Sequence, residues 1–453
     1  MANLFISLSF LFICVLFLCK GVLELEASHH IFAIVGVKDG DPNPMESGSM
    51  IYKGIYYLFY QYNPKETSPN LAMPKNLSVS YLTEWIKYQK NQVMAPTSKN
   101  KINASSFRDP TTAWLGPDKM WKVLIGSRVN KLGLVRAKTL SCPNFFPVKT
   151  NGNEGLDSYA RGEKVKHLLE NNLDETKHDY YTIGTYDVVN DKYFPDKDMI
   201  ENNSGMRYDY GKFYASKTFF DSEKQRRILW GWVNESSSVN DDVQKGWAGA
   251  IPRNIWLDKS GKQLLQWPIN EIEKLRGNQV KWPSKILEGG SMLEVTGVTA
   301  GQLKKIEVLK EKWYNPQFGV LGPFGFLTFA SNTLSEYTAV FFRINKHHNK
   351  HKVLMCSDQS RSSLNKHNDN TTYGVFVDLD PAHEQLSVKS LIDRSIVESF
   401  GGGGKAVITS RVYPTQAIDN QIKLFVFNNG TSRVKIAHLN TWSMKKAQIS
   451  LIK

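Results

Sequence analysis

The sequence predicts an all-β protein in two strand-rich halves, and three observations carry that prediction. Apolar and aromatic runs of strand length recur along most of the chain. Gly, Asn, Asp or Pro punctuates the intervals between them. Only part of the 161–175 region shows the 3.6-residue apolar period of a helix.

Residues 1–27 come first, with a short polar start and an apolar run from Leu4 to Cys19, ending near Lys20-Gly21 or Ala27-Ser28. This is the pattern of a secretory signal peptide. A membrane anchor is the alternative, and the run is close to the lower limit for crossing a bilayer. The first half then supplies Ile55 to Tyr60, Trp121 to Ile125, Tyr180 to Gly184, Phe213 to Ser216 and Ile228 to Trp232. A second set follows the Pro- and Lys-containing stretch around 268–285: Met292 to Val295, Phe324 to Leu327, Thr338 to Phe342, Gly374 to Val377 and Lys423 to Phe427. One domain is therefore expected over 28–275 and another over 286–453. The pattern leaves propeller, sandwich and barrel all open.

With 453 residues, 41% of them apolar and 12% aromatic, the chain can bury one large or two ordinary cores, which excludes a disordered protein. A net charge of +14 favours anionic surfaces. Lys and Arg are scattered, with no long run, so general surface charge is expected and no nucleic-acid stripe. Cys14 and Cys19 leave with the signal, and Cys142 and Cys356 are too few for a disulfide scaffold or a cysteine zinc site. His347, His348 and His351 read as a basic loop, so no metal or organic cofactor is expected. Six Asn-X-Ser/Thr sites, at Asn76, Asn103, Asn202, Asn234, Asn370 and Asn429, fit an extracellular glycoprotein with no membrane span once the signal is gone.

Five segments in order carry a family resemblance: Phe107-Arg108-Asp109-Pro110, Cys142-Pro143-Asn144-Phe145, Arg207-Tyr208-Asp209-Tyr210-Gly211, Trp230-Gly231-Trp232 and Ser395 to Gly401. Together they resemble the plant acid invertases of glycoside hydrolase family 32, above all the cell-wall invertases and fructan exohydrolases. The resemblance covers most of the chain from about residue 39. It implies a five-bladed β-propeller, incomplete here, with the active site at one end of its funnel, followed by a β-sandwich. It also implies a secreted protein of the cell wall that acts on sucrose or fructans, with an anionic wall polysaccharide as a further partner.

Retaining glycosidases set two carboxyl groups roughly 5 Å apart, one attacking the anomeric carbon and one protonating the departing oxygen. The resemblance implies these roles for particular residues. Asp41, in Gly40-Asp41-Pro42-Asn43-Pro44, is the nucleophile candidate, although the family's Asn-Asp-Pro-Asn-Gly is altered and the Asp also suits an ordinary turn. Asp109 matches the carboxylate that stabilises the transition state, and Arg108 orders the site. Asp209 and Lys212 match positions that hold the glucose of sucrose, against the simpler reading of a solvated charge pair. Gln61 matches a substrate-contacting glutamine, with Tyr62 where the family has Trp. The general acid of the family's Trp-Glu-Cys-Pro falls on Ser141, whose hydroxyl cannot deliver a proton at acidic to neutral pH.

The departures come in blocks. Family-like sequence is missing between Lys65 and Pro74, between Leu134 and Thr139, and ahead of Gly322, the last gap removing the usual disulfide partner of Cys356. Poor local order is expected around 64–75 and 130–140. Three functions fit: an impaired or shortened β-fructosidase, a non-catalytic sugar-binding relative, and a basic wall-binding structural protein.

Overall fold

Strand follows strand with short connections. The computed structural model describes residues 48–52, 55–61, 69–76, 85–89, 111–115, 121–122, 124, 141–173, 176–200, 203–234, 247–299, 305–310, 320–347, 350–418 and 421–445. The first half contributes β1 (Gly48–Tyr52), β2 (Ile55–Gln61), β3 (Pro69–Pro74), β4 (Trp85–Lys87), β5 (Trp114–Leu115), β6 (Trp121–Lys122), β7 (Ser141–Lys149) and β8 (Val165–Leu173). It continues with β9 (His178–Asp187), β10 (Lys192–Pro195), β11 (Met206–Arg207), β12 (Phe213–Asp221), β13 (Arg226–Asn234), β14 (Trp247–Gly249), β15 (Arg253–Leu257) and β16 (Leu264–Pro268).

Each sheet in this half is made of consecutive strands, as in propeller blades. The orders are β1-β2-β3-β4, the pair β5-β6, β10-β9-β8-β7 with β11 on β9, and β12-β13-β15-β16 with β14 on β13. Strand β12 touches β7 and β9 of the preceding sheet, and β1 returns to touch β12. First-to-last contact is how successive blades close a ring. The core lies between sheets, where Phe146, Leu168, Ile183, Tyr208, Phe213, Leu229 and Ile255 are almost fully enclosed.

Two expectations change. The helix-like spacing in 161–175 belongs to β8, held between β7 and β9. Its apolar residues Val165, Leu168, Leu169 and Leu173 happen to fall three and four apart, and the sheet's neighbours override that local signal. Poor order in 64–75 is also corrected at its C-terminal end, because Pro69–Pro74 pairs with β2 and buries Ala72. Residues 62–68 and 130–140 lie outside the described residues.

The second half holds β17 (Arg276–Trp282), β18 (Lys285–Leu287), β19 (Ser291–Glu294), β20 (Lys305–Lys310), β21 (Val320–Ala330), β22 (Thr338–His347) and β23 (Lys350–Asp358). It ends with β24 (Thr372–Val377), β25 (Leu386–Asp393), β26 (Ile396–Gly401), β27 (Ala406–Arg411), β28 (Lys423–Asn428) and β29 (Val434–Met444). The sheets run β17-β29-β20-β25-β26-β27, with β18 on β29, and β19-β28-β21-β22-β23-β24. Their inner faces enclose Phe326, Val353, Met355, Val397, Ile408, Val426 and Leu439, so the half is a sandwich with its own core.

A 3-10 turn, Asn270–Leu275, connects the halves, and the seam beside it is apolar. Ile228, Ile269 and Ile272 pack on Leu391, Phe400 and Val407, and the Trp267 and Phe400 rings meet edge-on at 6.0 Å. Burying each such side chain contributes about 1.5–3 kcal/mol. Gly404 completes the fit: it has φ +95°, and a Cβ there would stand 2.3 Å from the Gln266 carbonyl oxygen.

Candidate functional site

Residues 208–212 run beside β27 and bring the two halves together. Tyr210 and Lys212 donate their amides to the carbonyls of Val407 and Thr409 at 2.9 and 2.8 Å. Gly211 sits between them because any Cβ would lie 2.0 Å from the Thr409 carbonyl oxygen. This approach carries Asp209 into the seam. Its Oδ1 accepts the amides of Gly211 (2.8 Å) and Thr409 (2.9 Å), and its Oδ2 accepts Arg253 Nη2 (2.8 Å) and the Thr409 hydroxyl (2.6 Å).

Arg253 extends the network. From β15 its Nη2 also reaches Glu398 Oε2 on β26 at 2.9 Å, and its guanidinium lies 4.2 Å from the ring centre of Phe213. Glu398 Oε1 in turn accepts the Ile251 amide at 2.6 Å. Burial raises the Glu398 pKa, and the nearby Arg253 charge opposes the rise. The Asp209 and Arg253 side chains have 0% exposure and Glu398 has 1%. Nearby, Lys212 pairs with Asp369 at 2.9 Å. Burial would raise the Asp369 pKa, but the Thr371 hydroxyl and Lys212 hold it below the usual range.

A second polar cluster lies inside the first half, beside β7. Asn144 Nδ2 donates to Glu170 Oε2 at 2.5 Å and to the Ser216 carbonyl at 2.9 Å. Its Oδ1 accepts the Thr218 amide at 3.1 Å, and Lys217 Nζ donates to the Pro143 carbonyl at 3.0 Å. A β-bulge between Tyr214 and Lys217 puts Ala215 at φ 55°, a left-handed conformation rare for a residue with a side chain. Asp179 accepts the two amides that the bulge leaves free, Ala215 at 3.0 Å and Ser216 at 2.9 Å. Burial pushes the Asp179 pKa up to about 6. Burial and the Asp179 charge raise Glu170 well above the carboxylate range, and its Oε1 meets no hydrogen-bond partner among the described residues.

The residues singled out by sequence are thus unevenly placed. Asp41, Arg108 and Asp109 lie outside the described residues. Gln61 ends β2 opposite Pro69, and Ser141 opens β7 opposite Asn172, with only their backbones described. Of the two residues expected to contact the sugar, Asp209 lies buried in the joint between the halves, and Lys212 pairs with the half-buried Asp369. Cys356 carries no disulfide, and burial pushes its thiol up to about 11, which disfavours the reactive thiolate. No cluster of three or more metal-type side chains occurs among the described residues, and no helix among them is long and apolar enough to cross a membrane.

Sequence reasoning passed over Arg253, Glu170 and Asp179. Single charged residues in apolar strands give no spacing signal, and their meaning arises only from the partners that folding supplies. Chemically, the joint fixes charge without exposing it. The Glu170–Asp179 pair can hold a proton beside the strand that begins at Ser141, but it is closed to solvent.

Comparison with known proteins fits this geometry. Residues 66–137 and 134–268 match the glycosyl hydrolases family 32 N-terminal domain, and 271–443 match the family's C-terminal domain. The chain is 45% identical to a beta-fructofuranosidase of Arabidopsis thaliana, insoluble isoenzyme CWINV1, over 95% of this chain and 96% of the relative. That alignment runs over 563 positions, more than the 453 residues present, so blocks of the relative have no counterpart here. A cell wall isozyme of beta-fructofuranosidase from Pisum sativum is 43% identical, over 92% of this chain and 99% of the relative. Among solved structures, fructan 1-exohydrolase IIa from Cichorium intybus superimposes with a TM-score of 0.79 and 36% identity, over 90% of this chain and 97% of that one.

Proposed function

The chain belongs to glycosyl hydrolase family 32, and from that premise we propose that it is a secreted β-fructofuranosidase-type protein of the cell wall with impaired turnover of sucrose or fructans. One observation carries the reading: the family's two domains match in order from 66 to 443, across both halves of the fold. Asp41 is assigned as the nucleophile, Asp109 as the carboxylate that stabilises positive charge at the anomeric carbon, and Arg108 and Gln61 as groups that hold the fructosyl unit. Ser141 occupies the position of the acid. Loss of a general acid lowers the rate by about 10²–10⁴.

A second reading, binding without turnover, is favoured by the same serine. Titration calorimetry with sucrose, run beside a fructose-release assay on the same sample, separates the two. Slow release above background supports the impaired enzyme. Heat of binding with no release supports the binding protein, and neither signal would reject both.

A further inference from the structure

The β22–β23 hairpin is the most basic segment of the second half. From Arg343 to Lys352 the sequence reads Arg-Ile-Asn-Lys-His-His-Asn-Lys-His-Lys, and no Asp or Glu occurs between Glu336 and Asp358. Strand alternation sorts these residues. Phe342, Ile344, Val353, Met355, Val375 and Val377 turn inward and are buried. Arg343, Lys352 and Phe376 share the opposite face, because Arg343 stands across from Leu354, Leu354 across from Phe376, and Lys352 two residues before Leu354.

That face is open. Arg343 and Lys352 are exposed, and Phe376 is 66% exposed, with Lys352 Nζ 5.9 Å from its ring centre. Neither cation forms an ion pair with a carboxylate among the described residues. The described acids near the hairpin make no ion pair with Arg343 or Lys352, although Asp380 feels the charge of His351. Asp378, just past β24 on the same face, forms no ion pair with Lys352, while Asp380 pairs with His383 at 2.7 Å and Glu384 with Lys405 at 3.2 Å. With strands about 4.8 Å apart, the two cations and the aromatic ring fall within a patch about 10 Å across.

We propose that the outer face of β22, β23 and β24 is a docking surface for an acidic polysaccharide whose sugars carry carboxylates. Arg343 offers a fork of donors to a carboxylate, Lys352 adds a point charge, and Phe376 gives the apolar side of a sugar ring a surface to cover. The proposal rests on the cell-wall location proposed above, yet retention needs no turnover, so it can fail or hold independently of catalysis.

The test is salt-dependent retention of the full chain on immobilised polygalacturonate. Each cation near an anionic surface changes binding about fivefold. The double variant Arg343→Gln/Lys352→Gln should therefore bind about tenfold or more weakly, and Phe376→Ser should weaken binding without changing charge. A control with three exposed lysines of the first half removed, Lys164→Gln/Lys192→Gln/Lys197→Gln, should stay within about twofold of the parent. If the control loses as much as the double variant, net charge alone explains retention and the proposal is overturned. Equal retention of parent and double variant, or tighter binding to duplex DNA than to polygalacturonate, overturns it as well. The single reversal Lys352→Glu, with its circular dichroism spectrum, separates loss of binding from loss of fold.

Discussion

Three carboxylates show how position decides what an acid does. An acid whose pKa rises on folding binds more protons folded than unfolded, so stability falls as pH climbs between its two values. For Asp179 that window runs from 3.8 to about 6, and for Glu170 it opens at 4.5 and extends well upward. Glu271 behaves oppositely: burial would raise it, but Arg226 and Lys224 outweigh burial and hold it at about 2, so its contribution is complete above 4.5 and lost as pH falls to 2. Melting temperature should therefore be higher near pH 5 than at pH 7. Glu170→Gln should flatten that slope and stabilise the protein at pH 7 by about 1–3 kcal/mol, the range for relieving a buried group without a partner. Thermal melts of both proteins across pH 4–8 check this, and a steeper slope in the variant would reject the assignment. None of this was legible in the sequence, where Glu170 is one acid in Glu170-Asn171-Asn172.

At the scale of elements, the 208–212 segment and its partner β27 form the critical contact. Removing Arg253 leaves Asp209 and Glu398 buried and unpaired, and breaking a buried pair in this way costs about 3–5 kcal/mol. Urea denaturation of Arg253→Met should show that loss, and the triple change Arg253→Met/Asp209→Asn/Glu398→Gln should recover part of it. Full additivity of the three single changes would mean that the groups are not coupled. Gly211→Ala should cost about 1–3 kcal/mol by overpacking against the Thr409 carbonyl. The strands themselves were largely readable, because alternation and turn residues are local. Residues 161–175 misled because a strand buried between two others carries apolar residues at spacings that also suit a helix. Glu398 lay within the recognised Ser395 to Gly401 segment, but its partner Arg253 is 145 positions away in sequence and only the fold joins them.

For the whole molecule, the shared apolar seam and the Asp209–Arg253–Glu398 network bind the two halves into one cooperative unit. Calorimetry should show a single unfolding transition, and Arg253→Met should broaden or split it. Two separate transitions in the parent would mean that the seam contributes little. The two-half architecture and the family were visible in the ordered motifs, since these follow the chain. The proposed catalytic residues were named only through the resemblance, because Asp41, Asp109 and Ser141 are far apart in sequence and no local spacing links them. The central claim is that this is a family 32 fold whose turnover is limited by Ser141. The most direct test is fructose release from sucrose by the purified chain and by Ser141→Glu, assayed together. The parent should release fructose slowly but above background, and the variant about 10²–10⁴ times faster. A parent as fast as the variant would contradict the claim.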